Sequence, residues 1–145
     1  MHSIYDYHSD VGDVVFVIAN QINHGKDTIL KDDTLRIEVA KLNMKAGEKA
    51  VDGCDHKTAH SYLSIALSFL PDGHWESHYE LSLRLSYLVA SAAYSCCLYD
   101  EAEQTLRGIS GRTRCFEDKL HSYFLLGRSK FTDLHISFVE YHLLS

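Results

Sequence analysis

The chain has little proline and few glycines: one proline and eight glycines in 145 residues. So little of either residue leaves little room for a disordered linker or for an all-β fold with many tight turns. The composition is otherwise that of a globular protein, with 46% hydrophobic and 23% charged residues. At this length the chain can form one domain with a substantial core.

Basic residues are also few, and they are scattered. The fourteen Lys and Arg residues form no stripe, and the formal net charge is −6. Because phosphate binding needs clustered cations, this composition argues against a nucleic-acid partner. The longest apolar runs, such as Val14–Ala19, are far too short to span a membrane, so no membrane partner is expected.

The four cysteines do not form the pattern of a disulfide framework. Cys96 and Cys97 are adjacent, Cys54 and Cys115 stand alone, and no Cys-x-x-Cys is present. The first residues form no basic and then apolar leader, so reduced thiols and a cytoplasmic location are expected. A redox role for the adjacent pair would need a nearby cation or helix N-terminus. The pair is instead expected at an apolar helix C-terminus, as buried packing thiols.

The clearest positive signal is the stretch Ala59–Leu70. Its apolar residues recur with the spacing of one side of an amphipathic helix, at Ala59, Tyr62, Leu63, Ala66, Leu67 and Leu70. Small and large side chains alternate, as a helix requires where another helix crosses it closely. Asp55 is the expected N-cap of this helix. The only proline, in the turn Pro71-Asp72-Gly73, is expected to end it.

Similar periodicity predicts five further helices. The first runs from Asp10 to Gly25, with Val14, Val15 and Ile18 on its buried face, although the β-branched run Val14–Ile18 leaves a buried strand as the alternative. The others are Asp33–Val51 ended by Gly53, a long helix opened by Glu76 and His78, a helix opened by Asp100 with Glu103 at capping-box spacing, and one near Phe116–Gly127. Residues 1–9 are expected to be frayed, and residues 131–145 to be a short helix or poorly ordered.

The predicted fold is all-α: about six helices, arranged as antiparallel helical hairpins that stack into a short tetratricopeptide-like solenoid over residues 10–130. Short polar turns favour antiparallel neighbours. Two hairpins align at a period near 40, longer than the ~34 of a tetratricopeptide repeat, and such hairpins must stack to bury their apolar faces. The residues predicted for the structural core are Tyr62, Leu63, Ala66, Leu67, Trp75, Leu85, Leu88, Ala92 and Ala102.

Histidine is abundant, with ten residues, but no catalytic, cofactor or metal site is predicted. Cys54, His56 and His60 include two ligands one helical turn apart, whereas a zinc site needs three or four. His74 and His78 have the same spacing but do not form a His-Glu-x-x-His motif. Nothing in the pattern brings a Ser/His/Asp nucleophile set together.

Nine tyrosines are many for an ordinary core, and amphipathic aromatic residues suit interaction surfaces. Tyr94 is more readily explained as a core residue, whereas Tyr87 and Tyr99 are candidates for lining a groove. Asp100 and Glu103 belong to an acidic flank, which is either a solvated face or a selector of a basic partner segment. These four residues, Tyr87, Tyr99, Asp100 and Glu103, form the candidate interaction surface.

Seven blocks of sequence carry a family resemblance. They are Val15–Gly25, Arg36–Ala50, Ala59–Pro71, His74–Trp75, Tyr79–Leu83, Tyr99–Glu103 and Phe116–Lys119. In order and spacing they resemble the tetratricopeptide-like helical region that follows the AAA-type ATPase module in hybrid serine/threonine kinase–ATPase–histidine kinase signalling proteins. The resemblance implies a helical linker and interaction region, in a fragment or relative of such a hybrid, with proteins or neighbouring domains of a signalling assembly as partners.

The main hypothesis is therefore a non-catalytic protein-interaction and regulatory module. The chain contains no Gly-x-x-x-x-Gly-Lys-Ser/Thr loop, His-Arg-Asp or Asp-Phe-Gly, so nucleotide binding and kinase activity are not carried over by the resemblance. The alternative is a part of an ATP-binding protein kinase or histidine kinase whose catalytic domains are absent from this chain. A compact helical bundle with a metal site is a third hypothesis.

Overall fold

The computed structural model describes residues 5–123 and 127, and for residues 5–13 only the backbone is described. Within these residues the secondary structure is helical throughout, without a strand, which confirms the predicted all-α class for this part of the chain. The helices are α1 (Tyr5–Asn23), α2 (Lys26–Ile29), α3 (Asp33–Asp52), α4 (His56–Phe69), α5 (His74–Ser77), α6 (Tyr79–Ser95), α7 (Tyr99–Ser110) and α8 (residues 116–123). The predictions for residues 1–4 and 131–145 lie outside the described residues. None of the described helices is both long and apolar enough to cross a membrane.

The chain divides into two compact units, and the boundary falls between Leu85 and Ser86, inside α6. The first unit contains α1 to α5 and the beginning of α6. The second contains the rest of α6, α7 and α8. The described residues form more helices than the predicted six because of two short ones. Helix α2 lies in the segment that was predicted to be a polar break, and α5 lies where a longer helix was predicted to start.

Helix α1 differs from the prediction in its start and in its buried face. It begins at Tyr5, five residues before the predicted Asp10, and the strand alternative for Val14–Ile18 is wrong. Val14 and Ile18 are 51% and 43% exposed, whereas Ala19 is fully buried. Because nearly every residue from 14 to 19 is apolar, periodicity alone cannot select the side that faces the core.

Polar contacts and packing show which side of α1 faces inward. Val15 and Phe16 pack against the cluster that contains Ala46 and Tyr62. The Tyr62 hydroxyl donates a hydrogen bond to the Asn20 side-chain oxygen at 2.9 Å. The face of α1 is thus set by its partners on α3 and α4.

Helices α3 and α4 form an antiparallel hairpin. Arg36, near the start of α3, donates from Nε to the Phe69 carbonyl at 2.9 Å and from Nη2 to the Leu70 carbonyl at 2.8 Å, at the end of α4. In the middle of the hairpin, a Cβ added to Gly47 would lie 2.5 Å from Leu63 Cγ. The two backbones therefore approach closely at Gly47, where a side chain would not fit.

The connection between α3 and α4 is a Schellman motif. Cys54 adopts the left-handed conformation, with φ of 59°, whereas Gly53, the predicted helix stop, has φ of −81°. The Cys54 and Asp55 N–H groups donate to the carbonyls of Val51 and Ala50, each at 2.9 Å. Asp55 then caps α4, as predicted, by accepting from the Thr58 N–H at 3.1 Å.

The connection between α6 and α7 has the same geometry 43 residues later. Cys97 is left-handed, with φ of 61°, and its N–H donates to the Tyr94 carbonyl at 3.0 Å. The Leu98 N–H donates to the Ala93 carbonyl at 2.9 Å. Buried positions recur at the same offset, in the pairs Val39/Ser82, Ala40/Leu83, Asn43/Ser86, Ala46/Val89, Gly47/Ala90, Ala50/Ala93, Ala59/Ala102, Leu63/Leu106 and Ala66/Ile109. The two helical hairpins therefore share one internal plan.

The predicted capping box at Asp100 and Glu103 is wrong. Helix α7 begins at Tyr99, and its N-cap is Leu98, which makes no side-chain capping bond. The Schellman motif explains the shift, because the residue that follows the left-handed Cys97 becomes the N-cap. Asp100 lies in the first turn, and Glu103 accepts from Arg107, at 2.9 and 2.6 Å, instead of closing a capping box.

Burial separates the predicted core residues into two groups. Buried are Tyr62, Leu63, Ala66, Leu85, Ala92 and Ala102. Leu67, Trp75 and Leu88 are only half-buried, so they do not belong to the core. Leu67 and Leu88 lie at the rim of the buried arcs of α4 and α6, and Trp75 lies on the short α5, with its ring 6.0 Å from that of Tyr79.

Candidate functional site

A cleft of about 300 Å³ opens between α6 and α7 in the second unit. Its walls are formed by small and aromatic side chains, among them Ala90, Ser91 and Tyr94 of α6 and Tyr99, Ala102 and Leu106 of α7. The rings of Tyr94 and Tyr99 meet edge to face, with centroids 5.4 Å apart and an interplanar angle of 67°. Aromatic rings beside small residues are typical of surfaces that receive another side chain.

Several residues distinguish this cleft from the corresponding place in the first hairpin, among them the pairs Gly47/Ala90, Glu48/Ser91 and Val51/Tyr94. Ala90 and Leu106 occupy the positions of Gly47 and Leu63. In the first hairpin Leu63 fills the space that a Cβ of Gly47 would need. Ala90 carries that Cβ, and Ala90 and Leu106 are both buried at the base of the cleft lining. The substitution at the crossing thus accompanies a cleft at this position of the second hairpin.

Among the described residues, none of those that line the cleft is charged. From Ser86 to Leu98 the chain has no charged residue and no histidine, so the α6 wall is neutral. Helix α7 brings three carboxylates and one guanidinium, those of Asp100, Glu101, Glu103 and Arg107. Glu103 lies one turn after Tyr99, but it does not line the cleft, and its carboxylate accepts from Arg107. The cleft lining is therefore uncharged, and the charges of α7 lie outside it.

Tyr87, the fourth residue of the candidate interaction surface, does not line this cleft. Its ring lies edge-on to that of His121, with centroids 4.6 Å apart, and its hydroxyl donates to the Asp118 carbonyl. Burial raises the pKa of the Tyr87 phenol above its ordinary value of 10.0. The structure thus places Tyr99, Asp100 and Glu103 together on α7, and fastens Tyr87 to α8.

Sequence reasoning missed Ala90, Ser91 and the groove role of Tyr94. Two signals in the sequence point to them. One is the uncharged stretch from Ser86 to Leu98, which is unusually apolar for a helix with an open side. The other is the 43-residue offset between the two hairpins. At this offset Ala90 corresponds to Gly47, the residue at which α3 and α4 approach closely.

The first unit has a larger cavity, of about 680 Å³, beside α3 and the beginning of α6. Leu42 and Leu81 contribute to its apolar lining, and Lys41, Lys45 and Arg84 contribute cations. Two of these cations are paired: Lys41 Nζ lies 2.8 Å from Glu38 Oε1, and the Arg84 guanidinium donates to the Glu48 carboxylate. Because its charges are largely balanced, this cavity offers little selection for a charged partner.

A serine and a histidine do come together, which the pattern had not indicated. His74 Nδ1 lies 2.7 Å from Ser82 Oγ. The Ser82 side chain is fully buried, and its hydroxyl is also within bonding distance of the His74 and His78 carbonyls, at 3.0 and 2.8 Å. A hydroxyl that is buried and held in this way has no access to a substrate carbonyl. The contact fastens α5 to α6.

The residues considered for metal binding do not converge. In the part of the chain that the structure describes, no three metal-ligating side chains form a group. Cys54 and His56 are exposed, and the His60 ring is 3.4 Å from the Ser64 hydroxyl. His78 Nδ1 is 2.9 Å from the Ser77 hydroxyl.

The cysteines have other surroundings than expected. Cys97 is exposed and Cys96 is half-buried, so the prediction of two buried packing thiols is wrong. Their role in the structure is to end α6, because Cys97 supplies the left-handed residue of the Schellman motif. A hydrogen bond with the Asp118 carboxylate raises the pKa of the Cys115 thiol above its ordinary value of 9.0.

Comparisons of the chain with protein-family models, with curated proteins and with solved structures gave no match.

Proposed function

We propose that the chain is a non-catalytic protein-interaction and regulatory module built from tetratricopeptide-like helical hairpins. It acts in the cytoplasm by non-covalent contact, as a fragment or relative of a signalling ATPase/kinase hybrid, and its partners are proteins or neighbouring domains of that assembly. The observation that carries this proposal is one hairpin plan used twice, with an open cleft of small and aromatic residues in the second copy.

The repeated hairpin supports this proposal through its physical logic. A helical hairpin cannot bury its apolar face alone, so arrays of hairpins stack and leave extended surfaces for contact. The offset of 43 residues between Cys54 and Cys97 exceeds the ~34 of tetratricopeptide repeats and falls in the ≈40–47 range of longer helical repeats. A helical hairpin that is related to the tetratricopeptide repeat but has a longer period would agree with both the family resemblance and the 43-residue offset.

The chemistry of the cleft also favours binding over reaction. Its lining includes Ser91, Tyr94, Cys97 and Tyr99, without a histidine or carboxylate that could serve as a general base. Such a surface can bury an apolar or amphipathic side chain of a partner.

A peptide array tests this function. Purified chain is incubated with an array of unrelated peptides, and the same array is repeated with Ser91→Trp, which fills the cleft from an exposed position on α6. The control is Gln104→Trp, which adds the same ring at an exposed position on the opposite side of α7. We expect reproducible peptide binding that Ser91→Trp abolishes and Gln104→Trp preserves. Binding that is unaffected by Ser91→Trp, or no binding at all, would contradict the proposal.

The alternative, part of an ATP-binding kinase, is tested by titrating the chain with a fluorescent ATP analogue in the presence of Mg²⁺. We expect no saturable binding, because the chain has no phosphate-binding loop. Tight, saturable binding that unlabelled ATP displaces would overturn the proposed function.

A further inference from the structure

We infer that the α6–α7 cleft receives the uncharged, apolar face of an α-helix from a partner protein. This inference rests on the proposed function, and it adds the shape and the chemistry of the partner. Two observations carry it. The lining of the cleft is neutral at positions where the first hairpin is charged, and a helix covers the corresponding place in the first hairpin.

The cleft differs in polarity from its counterpart in the first hairpin. At the 43-residue offset, three of its lining residues replace polar or charged ones, in the pairs Glu48/Ser91, Asp52/Ser95 and His56/Tyr99. An ionised group of a partner that entered this neutral lining would give up its water and meet no opposite charge there, which is costly. The cleft therefore selects an uncharged face.

A helix lies at the corresponding place in the first unit. Glu48, the counterpart of Ser91, accepts a hydrogen bond from the guanidinium of Arg84, near the beginning of α6. The beginning of α6 thus lies beside the side of α3 that contains Glu48, and both helices line the cavity of about 680 Å³. Because each hairpin of a stacked array packs against its neighbours, a helix is the cover that this side of a hairpin accepts.

The contact between Glu48 and Arg84 is not repeated in the second unit. The residue 43 positions after Arg84 is Gly127, which is exposed and has no side chain that could reach Ser91. No described atom lies within 4 Å of the place that a Cβ of Gly127 would occupy. Ser91 is itself exposed, whereas the Glu48 side chain is only 29% exposed. Helix α6 therefore presents to a partner the side that α3 presents to α6.

The size of the cleft suits side chains of a helix better than a whole ligand. Its volume of about 300 Å³ lies at the lower limit of the ≈300–1,000 Å³ of small-molecule pockets. Ala90 and Ala102 are small and buried at its base, and the rings of Tyr94 and Tyr99 add aromatic walls. Leucine side chains that recur every three or four residues on one face of a helix can enter such a cleft, as in helix-in-groove recognition.

The experiment measures fluorescence anisotropy of labelled peptides with the full chain. Four alanine-rich helical peptides of equal length differ on one face, where positions i, i+3, i+4 and i+7 are leucine, serine, lysine or glutamate. A fifth peptide has the leucines and a central proline, which breaks the helix. We expect binding of the leucine helix only, with affinity that changes little as salt rises, because no ion pair forms. The proline peptide should bind at least about tenfold more weakly, since it is not preorganised.

A matched pair of variants tests the neutral lining. Ser91→Glu places in the cleft the carboxylate that the first hairpin carries at Glu48, and it should weaken binding of the leucine helix by roughly tenfold, because the bound helix would desolvate that carboxylate. Ser61→Glu makes the same change at an exposed serine of α4 and should alter the affinity by less than about twofold. Ser91→Trp should abolish binding. Circular dichroism of every variant checks that the fold is retained.

The outcomes separate this inference from the proposed function. If array peptides bind in a manner that Ser91→Trp abolishes, but the leucine helix does not bind or the lysine or glutamate helix binds as tightly, the module stands and the apolar helical partner is wrong. Equal binding of the proline peptide would also overturn the inference, because the cleft would then accept an extended segment. So would equal effects of Ser91→Glu and Ser61→Glu. If no peptide of either set binds the chain, both proposals fail.

Discussion

Asn23 of α1 and Asn43 of α3 exchange side-chain hydrogen bonds: each amide nitrogen donates to the amide oxygen of the other residue, at 2.9 and 3.0 Å. Asn43 is fully buried, and its second N–H donates to the Val39 carbonyl at 3.0 Å. The buried Asn43 amide thus has hydrogen-bond partners within the protein for its oxygen and for its nitrogen. The pair holds the end of α1 on the hairpin in one register.

The first prediction concerns this amide pair. Asn43→Ala should lower the free energy of unfolding by about 2 kcal/mol, because it removes the three hydrogen bonds of a buried side chain and leaves the Asn23 amide without this partner. Asn23→Ala should cost about as much. In a double-mutant cycle by urea denaturation, the two changes should couple by about 1 kcal/mol. Additive effects would show that the reciprocal bonds contribute nothing jointly.

The second prediction compares two helical glycines. Gly47→Ala should destabilise the protein by about 1–3 kcal/mol, because the new Cβ meets Leu63 Cγ, which is fully buried and cannot yield. Gly108→Ala should instead stabilise it by about 0.5–1 kcal/mol, since its Cβ would lie an ordinary 3.8 Å from Arg112 and the unfolded chain loses freedom. Thermal denaturation of both variants checks the signs. Stabilisation by Gly47→Ala would mean that the helices do not cross so closely.

The third prediction concerns Arg36 as a cap of α4. Arg36→Ala should cost about 2 kcal/mol, because the Phe69 and Leu70 carbonyls lose two charge-assisted hydrogen bonds. The salt bridge from Arg36 to Asp33 should matter little, since the Asp33 side chain is 77% exposed. Asp33→Asn is therefore the control, with an expected cost below about 0.5 kcal/mol. Equal costs in urea denaturation would assign the role of Arg36 to the ion pair.

The fourth prediction is a pH dependence at Asp55. Hydrogen bonds from the Thr58 hydroxyl and then from the Thr58 N–H hold the pKa of the Asp55 carboxyl below its ordinary value of 3.8. A depressed pKa in the folded state stabilises the protein above the unfolded-state value, and that contribution is lost as pH falls through the folded-state value. Asn also caps helices but does not titrate in this range.

The measurement is the urea midpoint of the wild type minus that of Asp55→Asn. This difference should be constant from pH about 7 to about 5 and should shrink below pH about 4. A difference that grows on acidification would have the wrong sign. Lys31→Ala, a change at an exposed position that does not contribute to the Asp55 pKa shift, serves as the control, and its difference from the wild type should stay nearly flat.

The fifth prediction concerns Ala66, which is fully buried in α4. Ala66→Glu should unfold the protein or cost more than about 3 kcal/mol, because it places an unpaired carboxylate at the helix crossing. Ser61→Glu puts the same side chain on an exposed position of the same helix and should change stability by less than about 0.5 kcal/mol. Melting followed by circular dichroism compares the two. A stable, folded Ala66→Glu variant would show that Ala66 does not face the core.

The helices with the strongest periodicity were predicted most closely. The predicted Asp33–Val51 is Asp33–Asp52 in the structure, and the helix predicted to end at the proline ends at Phe69. These helices have an apolar stripe at one face and a breaker or cap at their ends, so local residues define their limits. Where the apolar run had no stripe, as in α1, the sequence did not indicate the buried face.

The candidate site was predicted in part. Tyr99, Asp100 and Glu103 lie together on α7 because three residues within five positions must share a short helix segment. Tyr87 lies elsewhere, because its neighbours come from residues more than 30 positions away in the chain, and no local pattern announces such a contact. The same limit applies to Ala90, because its place in the cleft lining depends on residues of a different helix, α7.

The amino-acid sequence by itself determined the helical class, most helix limits and the negative charge of the segment after Cys97, because these depend on neighbours a few residues apart. Only the tertiary structure decided which face of α1 is buried, that Cys54 and Cys97 end helices in the same left-handed way, and that a cleft opens beside Ala90. Those features depend on how closely two backbones approach, and that distance is set by side chains far apart in the chain.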